Sequence, residues 1–128
     1  MEIENIQKYV RIQVRYTGRT GKPVGIFGAC HHVINNSYYT FNTTDEEKQL
    51  FLDIEKWFNE NLPNPPFYEE GNPKKYITWF KTKTTKYMIE KLIPLINLLE
   101  KYNIEYDIVY TNFVGKVVYE DNFQVAVE

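Results

Sequence analysis

Cysteine is almost absent from this sequence, because Cys30 is the only one among 128 residues. A single cysteine cannot form an intramolecular disulfide, and such sparse use of cysteine is typical of a reducing compartment. Long hydrophobic runs are also missing: no apolar stretch approaches the roughly 18 residues of a membrane span, and no basic and apolar leader opens the chain. We therefore expect a cytoplasmic protein that does not bind a membrane.

Histidine is nearly as scarce, and the two histidines, His31 and His32, directly follow Cys30. A zinc site needs three or four ligands aimed at one point, whereas neighbouring side chains on a helix diverge by about 100°. The triplet therefore predicts no metal site. Cys30 and His31 are better explained as packing residues, and His32 is the better candidate for a ligand contact or an acid–base role.

The glycine-rich and serine-centred motifs of common enzyme classes are missing too. Gly25 and Gly28 are followed by neither a third glycine nor a Lys-Ser/Thr pair, so the dinucleotide fingerprint and the phosphate-binding P-loop are absent. No Gly-x-Ser-x-Gly motif marks a nucleophile. No cofactor is therefore predicted.

An excess of positive charge is also lacking. Lys and Arg number 15 against 17 Asp and Glu, for a net charge of −2. Because duplex nucleic acid requires a basic surface, we do not expect it as a partner. Arginine is rare, and Arg11, Arg15 and Arg19, the three arginines of the chain, all lie within its first 19 residues.

Aromatic side chains are abundant and make up 16% of the sequence, with 11 Tyr, 8 Phe and 2 Trp. Aromatic residues dominate both protein cores and binding interfaces, and tyrosine suits half-wet surfaces. Two interpretations stay open, namely a tyrosine-rich core with its rim, or a binding face.

Hydrophobic periodicity predicts the elements of the first third of the chain. Residues 8–18 alternate between apolar and polar positions, which indicates a half-buried strand. Residues 25–38 suit a short amphipathic helix. In the phase that we favour, His31 lies partly buried and His32 points to the polar side, and the apolar face consists of Ile26, Phe27, Cys30, Val33 and Ile34.

Two long helices follow. Thr44 and Glu47 form a capping box at the start of the first. The second covers residues 82–103, where Pro94 removes one backbone hydrogen bond and predicts a kink near Glu90.

Strands are predicted at residues 76–80 and, as two or three short segments, near the C-terminus. The order β-α-α-β-α-β-β-β predicts an α+β fold in a single domain over residues 1–128. We expect a mostly antiparallel sheet of about four to five strands, packed against two long helices and one short helix.

Arg11 and Arg15 lie on the same face of the predicted first strand, with Tyr9 beside them. Their separation is about 13 Å at roughly 3.3 Å per residue. Bidentate arginine contacts suit phosphate groups, and a tyrosine ring offers a stacking plane. This face could therefore hold an extended anion, and the alternative is a solvent-facing strand with ordinary surface charges.

Residues 62–75 contain four prolines and one glycine, which predicts a long, stiff loop. The pair Pro65 and Pro66 is expected to hold an extended segment that projects Phe67 and Tyr68. The Pro-Pro-Phe-Tyr segment also fits a PPxY pattern that some aromatic-groove domains bind. The alternative is a rigid lid over the core.

Two functional hypotheses from different classes follow. The first is a non-enzymatic binding protein, a small accessory or inhibitor module of bacterial or phage type. It would hold either a protein partner or a small anionic, nucleotide-like ligand. Its candidate ligand-binding residues are Tyr9, Arg11, Arg15, His32, Tyr68 and Trp79.

The second hypothesis is a small enzyme that acts on a nucleotide or an ADP-ribose-like substrate. His32, Glu69 and Glu120 are its candidate catalytic residues, for proton transfer or for stabilising an oxocarbenium ion. Independently of either hypothesis, an unpaired strand edge and the many tyrosines suggest a two-fold homodimer.

Overall fold

The computed structural model of the protein describes residues 7–18, 20–35 and 41–128. Arg19, the third arginine, lies outside the described residues. Over the described ranges, six strands and four helices form an α+β arrangement, and all the strand pairings are antiparallel. The predicted fold class is therefore confirmed, with one strand and one helix more than the sequence pattern suggests.

The strands are β1 (Tyr9–Thr17), β2 (Pro23–Gly25), β3 (Ile77–Lys81), β4 (Tyr106–Thr111), β5 (Val117–Glu120) and β6 (Gln124–Val127). The helices are α1 (Ile26–Asn35), α2 (Asp45–Asn61), α3 (Thr82–Glu90) and α4 (Ile93–Lys101). A turn of 3-10 helix, Pro66–Tyr68, lies in the loop between α2 and β3.

Strand β1 organises the sheet because it is paired along both edges. Strand β4 pairs with one edge over most of the length of β1. The other edge is divided: β3 pairs opposite Tyr9 and Val10, whereas β2 pairs from Gln13 onward. Beyond β3 the sheet continues through β6 to β5. The change of partner from β3 to β2 falls at Arg11 and Ile12.

The main core lies between this sheet and helices α1, α2 and α4. Ile12 and Val14 contribute from β1, as its alternating pattern predicts. Burying each large apolar side chain stabilises the fold by about 1.5–3 kcal/mol. The fully buried side chains contributed by the helices and by the junction between α3 and α4 include Cys30, Val33, Phe51, Met88, Leu92, Leu95 and Leu99.

The start of α2 follows its sequence signature. The Thr44 side chain accepts a hydrogen bond from the Glu47 amide at 3.1 Å, and Glu47 Oε1 accepts one from the Thr44 amide at 2.9 Å. These reciprocal bonds satisfy two amides that a helix end otherwise leaves free. The predicted capping box is confirmed.

The second long helix predicted from the sequence is in fact two helices, α3 and α4. Lys91 and Leu92 separate them, and their amides donate to carbonyls three residues earlier. Pro94 has no N–H to donate to the Glu90 carbonyl, and its ring crowds that turn. The proline therefore breaks the helix, and the prediction of one kinked helix is wrong.

Strand β2 includes Pro23 and ends at Gly25, and no strand is predicted in this segment. Three residues are too few to show a periodicity, and pairing with β1 creates the strand. No helix in the described ranges is long and apolar enough to cross a membrane.

Candidate functional site

A cavity of about 560 Å³ lies where β1 changes partner from β3 to β2. This volume falls within the roughly 300–1,000 Å³ of small-molecule sites. Its walls come from β1, β2, the start of α1, the second half of α2, the loop after α2, and β3. The ionisable side chains that line it are Arg11, His32, Glu55, Tyr68 and Tyr76.

Arg11 is the cation of this cavity, and only 9% of its surface is exposed. Its Nη2 donates to the Pro23 carbonyl at 3.0 Å, whereas its Nε is buried without a hydrogen-bond partner. Among the described residues, no carboxylate forms an ion pair with this guanidinium. The expectation of a solvent-facing side chain is therefore wrong for Arg11.

Burial lowers the pKa of Arg11, and the Tyr68 hydroxyl acts in the opposite direction. An arginine nevertheless keeps its charge at neutral pH. A buried charge without a counter-charge costs free energy. The cavity wall thus carries a positive charge, and one donor of the same guanidinium is buried without a partner.

Gly25 makes this position of Arg11 sterically acceptable. A Cβ atom at Gly25 would lie 3.0 Å from Nη1 and 3.5 Å from Cζ of Arg11, so the guanidinium rests against bare backbone. Gly25 immediately precedes α1, which begins at Ile26. The charged end of Arg11 is therefore placed beside the N-terminus of that helix.

The first turn of α1 is itself part of the cavity wall, through Ile26, Phe27 and Gly28. The first amides of a helix have no partner within the helix, and they carry a partial positive charge. No acidic residue occurs in this first turn. Arg11 and the start of α1 therefore present two adjacent groups that favour an anion.

His32 lies on the same wall of the cavity and is half buried. Its Nδ1 is 3.0 Å from the Tyr16 hydroxyl. Burial, and to a smaller extent the neighbouring His31, lowers the pKa of His32, which favours the neutral imidazole at pH 7. His31 is exposed, and its Nε2 lies 2.9 Å from the Asn35 amide nitrogen.

The predicted phase of α1 is therefore wrong for both histidines. The phase predicted from the sequence includes Phe27 in the apolar face and leaves out Ala29. In the structure Ala29 is fully buried and Phe27 is only half buried. This rotates the apolar face toward His32, which meets Tyr16 on β1, and turns His31 toward solvent.

The loop after α2 is fixed to the sheet at two points. Gln124 Nε2 donates to the Pro63 carbonyl at 2.7 Å. Phe67 packs against Tyr76 and Tyr119, with ring centroids 5.2 and 6.3 Å apart. The cavity rim that this loop forms is therefore held in place by side-chain contacts.

Tyr68 lies next to that anchor and remains 41% exposed at the cavity. Residues Pro66–Tyr68 form a turn of 3-10 helix, and Pro65 is buried. The extended PPxY-like presentation is therefore wrong, because Phe67 is held among aromatic rings and is not projected. Only Tyr68 of this pair faces the cavity.

Glu55 is a cavity residue that the sequence-based reasoning misses. It lies on α2 between Phe51 and Phe58, at the spacing i, i+4 and i+7 that places three side chains on one face. Phe51 and Phe58 are buried. A carboxylate on an otherwise apolar stripe was the available signal. In the described part of the chain, Glu55 forms no ion pair.

The remaining predicted site residues lie elsewhere. Arg15 is exposed and forms ion pairs with Asp107 on β4 at 3.1 Å and with Glu105, just before β4, at 3.5 Å. Glu120 is ion-paired with Lys81. Tyr9, Trp79 and Glu69 are not among the cavity residues. The structure thus gathers Arg11, His32 and Tyr68 at one cavity and places the other predicted residues outside it.

Cys30 is a packing residue. Its Sγ donates to the Leu95 carbonyl at 3.7 Å, and burial raises the pKa of the thiol to about 12. A thiol with so high a pKa is a poor nucleophile at neutral pH. Within residues 7–18, 20–35 and 41–128, no group of three His, Cys, Asp or Glu side chains could hold a metal ion.

No protein-family model matches this chain, and no curated protein or solved structure is significantly similar to it.

Proposed function

We propose that this protein binds a small anionic ligand in the cavity around Arg11. The observation that supports the proposal is the buried guanidinium, which has one carbonyl partner, a buried Nε without a partner and no carboxylate counter-charge in the described chain. Native proteins pair their buried charges. A bound anion would supply the missing counter-charge.

A small ligand suits this site better than a protein surface does. The guanidinium lies inside a cavity, where a flat partner could reach it only with a protruding side chain. The enzyme hypothesis in its sequence-based form loses support, because Glu69 and Glu120 are not cavity residues. Binding of a protein partner and formation of a homodimer stay predictions.

The test compares Arg11→Met with Arg15→Met, since both arginines lie on β1 but only Arg11 lines the cavity. Each purified protein is heated with inorganic phosphate, sulfate, carboxylates and nucleotides. A ligand at 100 times its dissociation constant stabilises by about 2.7 kcal/mol. For 128 residues this corresponds to a rise in Tm of about 10 °C.

We expect at least one anion to raise the Tm of the unmodified protein and of Arg15→Met, but not that of Arg11→Met. The absence of any shift across the panel would contradict the proposal. An equal shift in both variants would also contradict it, because the anion would then bind away from Arg11.

A further inference from the structure

The cavity also holds a carboxylate, and this restricts the kind of anion that it can take. Glu55 lines the cavity on α2, and Arg11 lines it on β1. In the described part of the chain the two side chains do not form an ion pair with each other. A bare anion next to Arg11 would be repelled by Glu55. A ligand that also carries hydroxyl or amino groups would instead donate hydrogen bonds to Glu55.

The cationic part of the site suits a phosphate group. The Arg11 guanidinium rests against Gly25, the residue that precedes α1, and Ile26, Phe27 and Gly28 line the same cavity. Helix amides and a guanidinium together offer donors in several directions. A tetrahedral phosphate monoester can accept from all of them, whereas a planar carboxylate has fewer acceptor positions.

The remaining walls suit a flat aromatic group. Tyr68 stays partly exposed at the rim, on a loop that the Phe67 contacts hold in place. Phe27, Phe58 and Phe80 also line the cavity. A pre-positioned tyrosine ring binds a nucleobase face with little loss of conformational freedom.

We infer that the ligand is a nucleoside monophosphate. Its phosphate lies between Arg11 and the start of α1, its ribose hydroxyls or base amino group donate to Glu55, and its base packs beside Tyr68. This inference rests on the proposed anion-binding function and adds the ligand class to it.

The test is calorimetric titration of the intact chain with four nucleoside 5′-monophosphates, the matching nucleosides, ribose 5-phosphate and inorganic phosphate. We expect the best monophosphate to bind at least about ten-fold more tightly than inorganic phosphate or its own nucleoside, since each fragment lacks one set of hydrogen bonds. Arg11→Met should weaken that monophosphate about 100-fold, as the loss of charge-assisted hydrogen bonds implies.

Glu55→Gln is the more discriminating variant, because the affinities for inorganic phosphate and for the nucleoside monophosphate should change in opposite directions. Removing the negative charge should strengthen inorganic phosphate and weaken the monophosphate about ten-fold, through loss of a charged acceptor. Glu60→Gln is the matched control, since Glu60 is exposed on the same helix outside the cavity, and it should change neither affinity.

The outcomes separate the two proposals. If inorganic phosphate binds in an Arg11-dependent way but no monophosphate binds more tightly, the ligand class is wrong and anion binding stands. Equal responses of both ligands to Glu55→Gln would likewise overturn the ligand class. If no titrant binds, the ligand class is wrong, and anion binding then depends on the Tm shifts with sulfate and carboxylates. If Arg11→Met leaves every affinity unchanged, both proposals are wrong.

Discussion

Replacing Arg11 by methionine should stabilise the protein when no ligand is present. Methionine has a similar length and reach, carries no charge and adapts to irregular spaces. The substitution removes a cation that is 9% exposed and has no carboxylate partner in the described chain. A residue retained at a cost in stability is typical of a binding site.

The expected size follows from two opposing terms. Removing a buried ion relieves an effective desolvation penalty of several kcal/mol. Losing the hydrogen bond from Arg11 to the Pro23 carbonyl costs about 1.5–3 kcal/mol, because the donor is charged. The balance favours methionine by about 1 kcal/mol, at the low end of the roughly 1–4 kcal/mol gained when buried charges are replaced by apolar side chains.

The assay is thermal and urea unfolding of the ligand-free protein, with Arg15→Met as the control. A gain of about 1 kcal/mol raises the Tm of a chain of this length by about 4 °C. Arg15→Met should change little, because that ion pair is exposed to solvent. If Arg11→Met instead lowers the free energy of unfolding by 1 kcal/mol or more, Arg11 is a structural tie between β1 and β2 and the reasoning fails.

Gly25→Ala should weaken the binding of inorganic phosphate about ten-fold, the equivalent of one charged hydrogen bond. The new Cβ would lie 3.0 Å from Arg11 Nη1 and displace the guanidinium. An unchanged phosphate affinity in calorimetric titration would contradict the described contact. Glu47→Gln should alter acid unfolding, because hydrogen bonds from Lys101 and Tyr102 lower the pKa of Glu47 from 4.5 to about 2. A depressed carboxyl pKa stabilises the fold above pH 4.5 and stops doing so as the pH falls toward 2. The variant should therefore have a lower Tm at pH 7 and a shallower decline in Tm over that acid range, and parallel curves for the two proteins would refute this role.

The parts of the fold that depend only on residues close together in the sequence could be predicted from the sequence. The alternation of β1 and the capping box of α2 are local patterns, so both were readable before any tertiary information. Pro94 predicts a disturbed helix, but whether a proline kinks or breaks a helix depends on how the two halves pack. The break into α3 and α4 is therefore a tertiary outcome.

The candidate site depends on contacts between distant residues, which explains why only part of it could be predicted. Arg11 becomes buried because β2 pairs beside it and because Gly25 leaves room for its guanidinium. A three-residue strand gives no periodic signal. The phase of α1 likewise depends on the contact between the Tyr16 hydroxyl on β1 and His32, and no local sequence pattern predicts that contact. Glu55, by contrast, was detectable as a charge on the apolar stripe of α2.

The most direct test of the central claim observes the Arg11 guanidinium itself by NMR. The chain contains three arginines, so its Nε–H signals are few, and Arg11→Met and Arg15→Met assign two of them by deletion. When a nucleoside monophosphate or inorganic phosphate is added, the Arg11 Nε–H signal should shift and exchange more slowly with water, while the Arg15 signal stays in place. An unchanged Arg11 signal at saturating ligand, or a shift confined to another arginine, would contradict the account.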